Sequence, residues 1–116
     1  MRALAALLLA SLLAACGQPV PADKAEYVGD WRGKEMRLLI TRDGRVEYSR
    51  KSGGNTTSVN APLQGFEGDN FVAGVGFLRT TFVVSKPPYR VGAAWKMVVD
   101  GVELTRGAGG GESFNT

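Results

Sequence analysis

The chain of 116 residues has no histidine and a single cysteine. The first absence removes the usual general base of serine and cysteine hydrolases and the commonest transition-metal ligand. The second rules out an internal disulfide, so the fold must hold by apolar packing alone, which is demanding at this size. No long hydrophobic run is present. The apolar stretch from Ala3 to Leu13, interrupted only by Ser11, falls short of the roughly 20 residues that a membrane-spanning helix needs. Charge of one sign is also lacking: 14 Lys and Arg are scattered among 11 Asp and Glu, with no block of either. So small an excess sets up no strong field, and no nucleic-acid partner is expected.

Catalytic patterns are missing too. Gly74-Val75-Gly76 is followed by neither a helical pattern nor a Lys-Ser/Thr pair, so it reads as a bulge or strand bend rather than a phosphate loop. Asp43, Glu67, Asp69 and Asp100 fit turns, while Glu47 and Glu103 fall on outward strand faces. A carboxylate pair converging in a cleft is therefore not expected. No enzymatic activity, metal or cofactor follows from these residues.

What is present begins at the amino end. Met1-Arg2 is positively charged, Ala3 to Leu13 is apolar on all sides, and small residues lead to Cys16. This is the build of an export signal. Leu13-Ala14-Ala15-Cys16 resembles the lipobox of bacterial lipoproteins, an aliphatic residue, two small residues and then Cys. The resemblance implies a diacylglycerol on the Cys16 sulfur, cleavage before Cys16 and acylation of the new amino end. Palmitate would be one such acyl chain. A membrane partner held through lipid follows, since two lipid signals already give stable anchoring. In that family Asp after the Cys tends to retain the protein at the inner membrane; Gly17 here implies the periplasmic face of the outer membrane. Removal of residues 1–15 leaves one small domain with 13 basic and 11 acidic side chains.

Residues 16–26 read as the lipidated Cys and a flexible tether, with Pro19 and Pro21 denying hydrogen-bond donors. From Tyr27 the period is two. Met36, Leu38 and Ile40 alternate with Arg37, Leu39 and Thr41, and Val46 and Tyr48 with Arg45, Glu47 and Ser49. Trp95, Met97 and Val99 behave likewise, as do Val102 and Leu104. This is half-buried strand patterning. Asp43-Gly44, Gly53-Gly54, Glu67-Gly68-Asp69-Asn70 and Asp100-Gly101 are turn signals, because Gly accepts positive φ and Asp or Asn bonds its own turn backbone. Pro87-Pro88 is expected to break the chain between strands. The fold expected for residues 27–106 is all-β, a small antiparallel up-and-down barrel of seven or eight short strands. Residues 107–116 read as a fraying Gly-rich tail, with Phe114 able to plug one end of the barrel.

Gly29-Asp30-Trp31 at the first strand and Arg106 at the end of the last resemble the lipocalin signature, a Gly-x-Trp with a basic residue lying across the indole. The resemblance implies that Trp31 is the barrel floor and Arg106 its cover. A guanidinium plane suits that role, because it stacks on the ring and still donates hydrogen bonds to nearby carbonyls. Eighty residues make a barrel shorter than a lipocalin, with little interior left once its aromatics are inside.

Three non-catalytic roles fit this reading. One is binding of a small apolar ligand at an open barrel end lined by Phe77 and Tyr89. Another is binding an envelope protein, as inhibitor or accessory subunit, through the basic loop 50–55 with Arg50 and Lys51. The third is a structural place in a larger envelope complex.

Overall fold

The computed structural model describes residues 17–107. The signal segment, Cys16 and Phe114 lie outside the described residues. After a short 3₁₀ helix, η1 (Ala22–Tyr27), come nine strands: β1 (Gly29–Gly33), β2 (Met36–Ile40), β3 (Arg45–Ser52), β4 (Asn55–Glu67), β5 (Asn70–Val75), β6 (Leu78–Phe82), β7 (Val84–Val91), β8 (Ala94–Val99) and β9 (Val102–Arg106). All pairings are antiparallel, in one sheet ordered β6-β5-β4-β3-β2-β1-β9-β8-β7. The all-β, barrel-like class is the one expected.

Nine strands replace the expected seven or eight, for a topological reason. The edge strands β6 and β7 are consecutive in the chain, separated only by Val83. Eight antiparallel steps lie between them in the sheet order, so the two run in the same direction. They form one long pass, bent at Val83, whose first half pairs with β5 and whose second half pairs with β8. The curled sheet is thus joined covalently where its edges meet. Side chains complete the corner. Val83 N–H donates to Asp100 Oδ1 at 2.9 Å, Asp100 N–H donates to Val83 O at 2.8 Å, and Val84 N–H donates to Asn70 Oδ1 at 2.8 Å.

The core follows the alternation. Trp31, Leu38, Ile40, Val46, Leu63, Phe71, Phe82, Met97, Val99 and Leu104 point inward and are buried. Phe71 and Phe82 stack at 4.8 Å, and Tyr48 meets Phe82 edge to face at 5.2 Å. In contrast, β4 runs 13 residues, and its first half is exposed as one arm of a hairpin with the end of β3. Its partly polar, solvated residues carry little alternation, so sequence patterning does not reveal it.

Two expectations need correction. Pro87 and Pro88 lie within β7 rather than between strands. An edge strand accepts them because its outer N–H groups have no ladder partner, and the register shifts between Lys86 and Tyr89 absorb their fixed angles. Residues 17–26, expected as a tether, are docked on the body. Gln18 N–H donates to Leu63 O at 2.9 Å and Val20 N–H to Arg42 O at 3.0 Å. Val20 packs against the core, and Tyr27 is buried against Phe66 and Phe71. A proline-rich segment has few donors to lose, so two backbone bonds and two apolar anchors suffice to order it.

Trp31→Ala should lower the unfolding free energy by about 3–5 kcal/mol, the range for emptying a large buried aromatic site. Denaturant titration measures it, and a loss under about 1 kcal/mol would show that Trp31 is not a core element. Tyr27 offers a pH test. Burial, and secondarily the Asp69 carboxylate, push its phenol up from 10.0 to about 12. The folded state therefore holds a proton that the unfolded chain loses first, so this contribution is complete below pH 10 and disappears as pH climbs towards 12. Stability of Tyr27→Phe should fall less steeply over that window; parallel curves would contradict the assignment.

Candidate functional site

The seam between the first and last strands is short, with Trp31 paired to Arg106 and Arg32 to Thr105. Side chains reinforce it. The Arg106 guanidinium lies 5.5 Å from the Trp31 ring and 5.1 Å from the Trp95 ring. Its Nη1 donates to the carbonyls of Glu26 at 3.2 Å and Val28 at 3.3 Å. Trp31 Nε1 donates to Tyr27 O at 2.9 Å, so both partners grip the turn between η1 and β1. Gly29 is what lets Arg106 in. Its φ is +152°, and a Cβ there would come within 2.4 Å of Arg106 Cδ. The Gly-x-Trp spacing thus has a local cause: alternation puts both residues on the inner face, one to be filled and one to stay empty.

Asp30, between them, faces the other way and is 1% exposed. Its carboxylate accepts from Arg32 Nη2 and Arg37 Nε, each at 3.1 Å. Arg32 and Arg37 stand opposite each other in the β1–β2 ladder, where like charges repel, and the shared carboxylate offsets that repulsion. Among the described residues no three His, Cys, Asp or Glu side chains gather as a metal site would require.

Arg50 and Lys51, expected in a loop, belong to β3 and pair with Thr57 and Thr56 of β4; Gly53-Gly54 makes the turn. The ladder holds them extended, and Lys51 N–H also donates to Glu35 O at 2.9 Å. With Lys34, Glu35 and Glu103 they border an open polar concavity of about 630 Å³. Phe77 and Tyr89, expected together at one mouth, are kept apart by the β6–β7 bend. Phe77 tops the β5–β6 turn and is 90% exposed. Tyr89 lies half-buried on β7, its hydroxyl donating to Glu103 Oε2 at 3.2 Å.

A different apolar surface exists that sequence reasoning missed. The β4–β5 ladder stops at Leu63 and Ala73, next to a bulge. Beyond it, β5 and β6 diverge from β4 and leave a groove of about 320 Å³ lined by Val59, Ala61, Ala73, Gly74, Val75 and Leu78, with Arg79 and Thr80 its polar members. The alternation Val59, Ala61, Leu63 was the signal, set among polar residues that obscured it. Elsewhere the interior is filled, with Trp31, Phe71, Phe82, Leu38 and Met97 at 0–1% exposure. Apolar contact with another molecule is thus offered on the open surface of β4–β6.

These features define a small all-β, barrel-like domain closed by an indole–guanidinium–indole stack. Comparison of the chain with protein-family models, curated proteins and solved structures finds no match.

A double-mutant cycle tests the seam. Gly29→Ala should destabilise by about 1–3 kcal/mol through overpacking and left-handed strain. In an Arg106→Ala background its cost should drop, because the side chain it collides with is gone. Strict additivity in urea unfolding would show that Gly29 does not make room for Arg106.

Proposed function

We propose that this chain is a non-catalytic, lipid-anchored bacterial envelope protein with a lipocalin-like barrel that acts through its outer surface. The observation that carries the reading is a core packed with aromatics beside an open apolar groove on β4–β6, directly downstream of a lipobox-like Leu13-Ala14-Ala15-Cys16. A filled interior leaves no cup for a carried ligand, whereas the groove offers apolar contact to a small apolar ligand or an envelope partner. The absence of histidine and the engagement of Asp30 by two arginines support a role without catalysis. Gly17 after the Cys supports the periplasmic face of the outer membrane.

A second reading, inhibitor or accessory subunit, is favoured by the β3–β4 hairpin. Below its Gly53-Gly54 tip, Arg50 and Lys51 stand with Lys34 at the rim of the polar concavity, three cations against the two acids Glu35 and Glu103, a balance that favours an acidic protein surface.

Cells expressing the chain and fed labelled palmitate should yield one labelled band of the processed size. Cys16→Ala should abolish the label and leave the unprocessed precursor. Undiminished labelling of that variant would mean that the wrong residue has been assigned.

A further inference from the structure

We propose that the β5–β6 turn is a second membrane contact, through which Val75, Phe77 and Leu78 enter the bilayer that holds the lipid on Cys16. This rests on the lipid-anchor reading and names the partner of the β4–β6 apolar surface.

Exposure is the first observation. Val75 is 67% exposed, Phe77 90% and Leu78 68%, so three large apolar side chains within four residues face outward. No charged residue occurs from Phe71 to Leu78. Such a cluster on a soluble surface marks an interaction site. A bilayer interface takes apolar side chains to a depth of about 5–10 Å and requires no shaped partner.

The place where the chain leaves the body selects the occupant. Gly17 and Gln18 line one concavity of about 350 Å³ with Gln64, Gly74, Val75 and Gly76. Because Gln18 and Val20 are hydrogen-bonded to Leu63 and Arg42, no slack separates the anchor from the body. Cys16 lies one residue, about 3.8 Å, before Gly17. Lipid on Cys16 therefore enters the membrane beside this turn, and the turn must lie at the same surface.

The turn is also held in shape. A Cβ on Gly74 would come within 2.0 Å of Leu78 O, so β6 returns in close contact with β5 there. Gln64 Nε2 donates to Gly76 O at 3.3 Å, satisfying a carbonyl that would otherwise resist leaving water. Arg79 follows, paired with Glu67 at 3.6 Å, in a position to stay at headgroup level while its stem lies on the apolar side. The β3–β4 tip is removed from this contact: from Val59, which lines the groove with Val75 and Leu78, β4 and its turn run six residues to Gly53, roughly 20 Å at strand rise.

The test uses the full-length, processed protein in phosphatidylcholine vesicles. Acylation consumes the Cys16 thiol, so a single introduced cysteine is the only site for a spin label. A label at Phe77→Cys should be reached by oxygen and shielded several-fold from an aqueous nickel chelate, relative to a label at Asn55→Cys on the hairpin tip. Equal access of the chelate at both sites overturns the proposal. Spin–spin broadening between labels at position 77 also overturns it, since a second copy would then cover the patch. The mass of the amino-terminal peptide separates the two readings. An acylated Cys16 with a water-exposed label sinks this contact alone, whereas an unmodified Cys16 sinks the anchor and the contact together.

Discussion

A guanidinium lying between two indoles is the interaction on which this molecule depends. Arg106 comes from the last strand, Trp31 from the first and Trp95 from β8, and the same guanidinium hydrogen-bonds the carbonyls through which η1 enters β1. The β1–β9 ladder is too short to hold the two ends of the chain together firmly by backbone bonds. Partly buried cation–π contacts and two charge-assisted hydrogen bonds supply what that ladder lacks. In a chain without a disulfide the seam has no covalent alternative.

The other seam uses connectivity. β6 and β7 are one bent pass, so the sheet's edges cannot separate at Val83 without breaking the chain. Asp100 and Asn70 satisfy the backbone groups that the bend strands. Beyond the corner each half-strand has a free edge. Prolines blunt that edge on β7. On β6 the strand is short and Leu78 starts it largely exposed, so with Val75 and Phe77 the β5–β6 corner gathers three exposed apolar side chains.

Function follows from where apolar surface is left over. Aromatic stacking fills the interior, so the core offers no open cup. The groove on β4–β6 and the polar β3–β4 hairpin lie on different stretches of the long β4. A leading segment that is docked rather than slack brings Gly17 and Gln18 beside Gln64, Gly74 and Gly76, next to the first of these.

The strands around Met36–Ile40, Val46–Tyr48, Trp95–Val99 and Val102–Leu104 were legible because side-chain alternation is a relation between neighbours. The turns at Asp43-Gly44, Gly53-Gly54, Gly68-Asp69 and Asp100-Gly101 were legible for the same reason, whereas those at Gly76-Phe77 and Gly92-Ala93 were not, the first being read as a bulge or strand bend. Trp31 and Arg106 could be matched through a motif, yet Gly29's part in it emerged only once the Arg106 side chain was seen passing over it. Pro87-Pro88 misled, because a proline's missing N–H is harmless only on an edge, and edge position is not a local property. So too with Gly17 to Tyr27, whose few donors and small residues resemble a linker until Leu63, Arg42 and Phe66 are brought against them. By itself the sequence determined an all-β chain, its turns, its inward faces and a lipobox-like cysteine, all set by chemistry within a few residues. Only the tertiary structure decided which edges meet, what the leading segment touches and which apolar residues stay outside. Those depend on how side-chain volumes distant in the chain fill one shared interior.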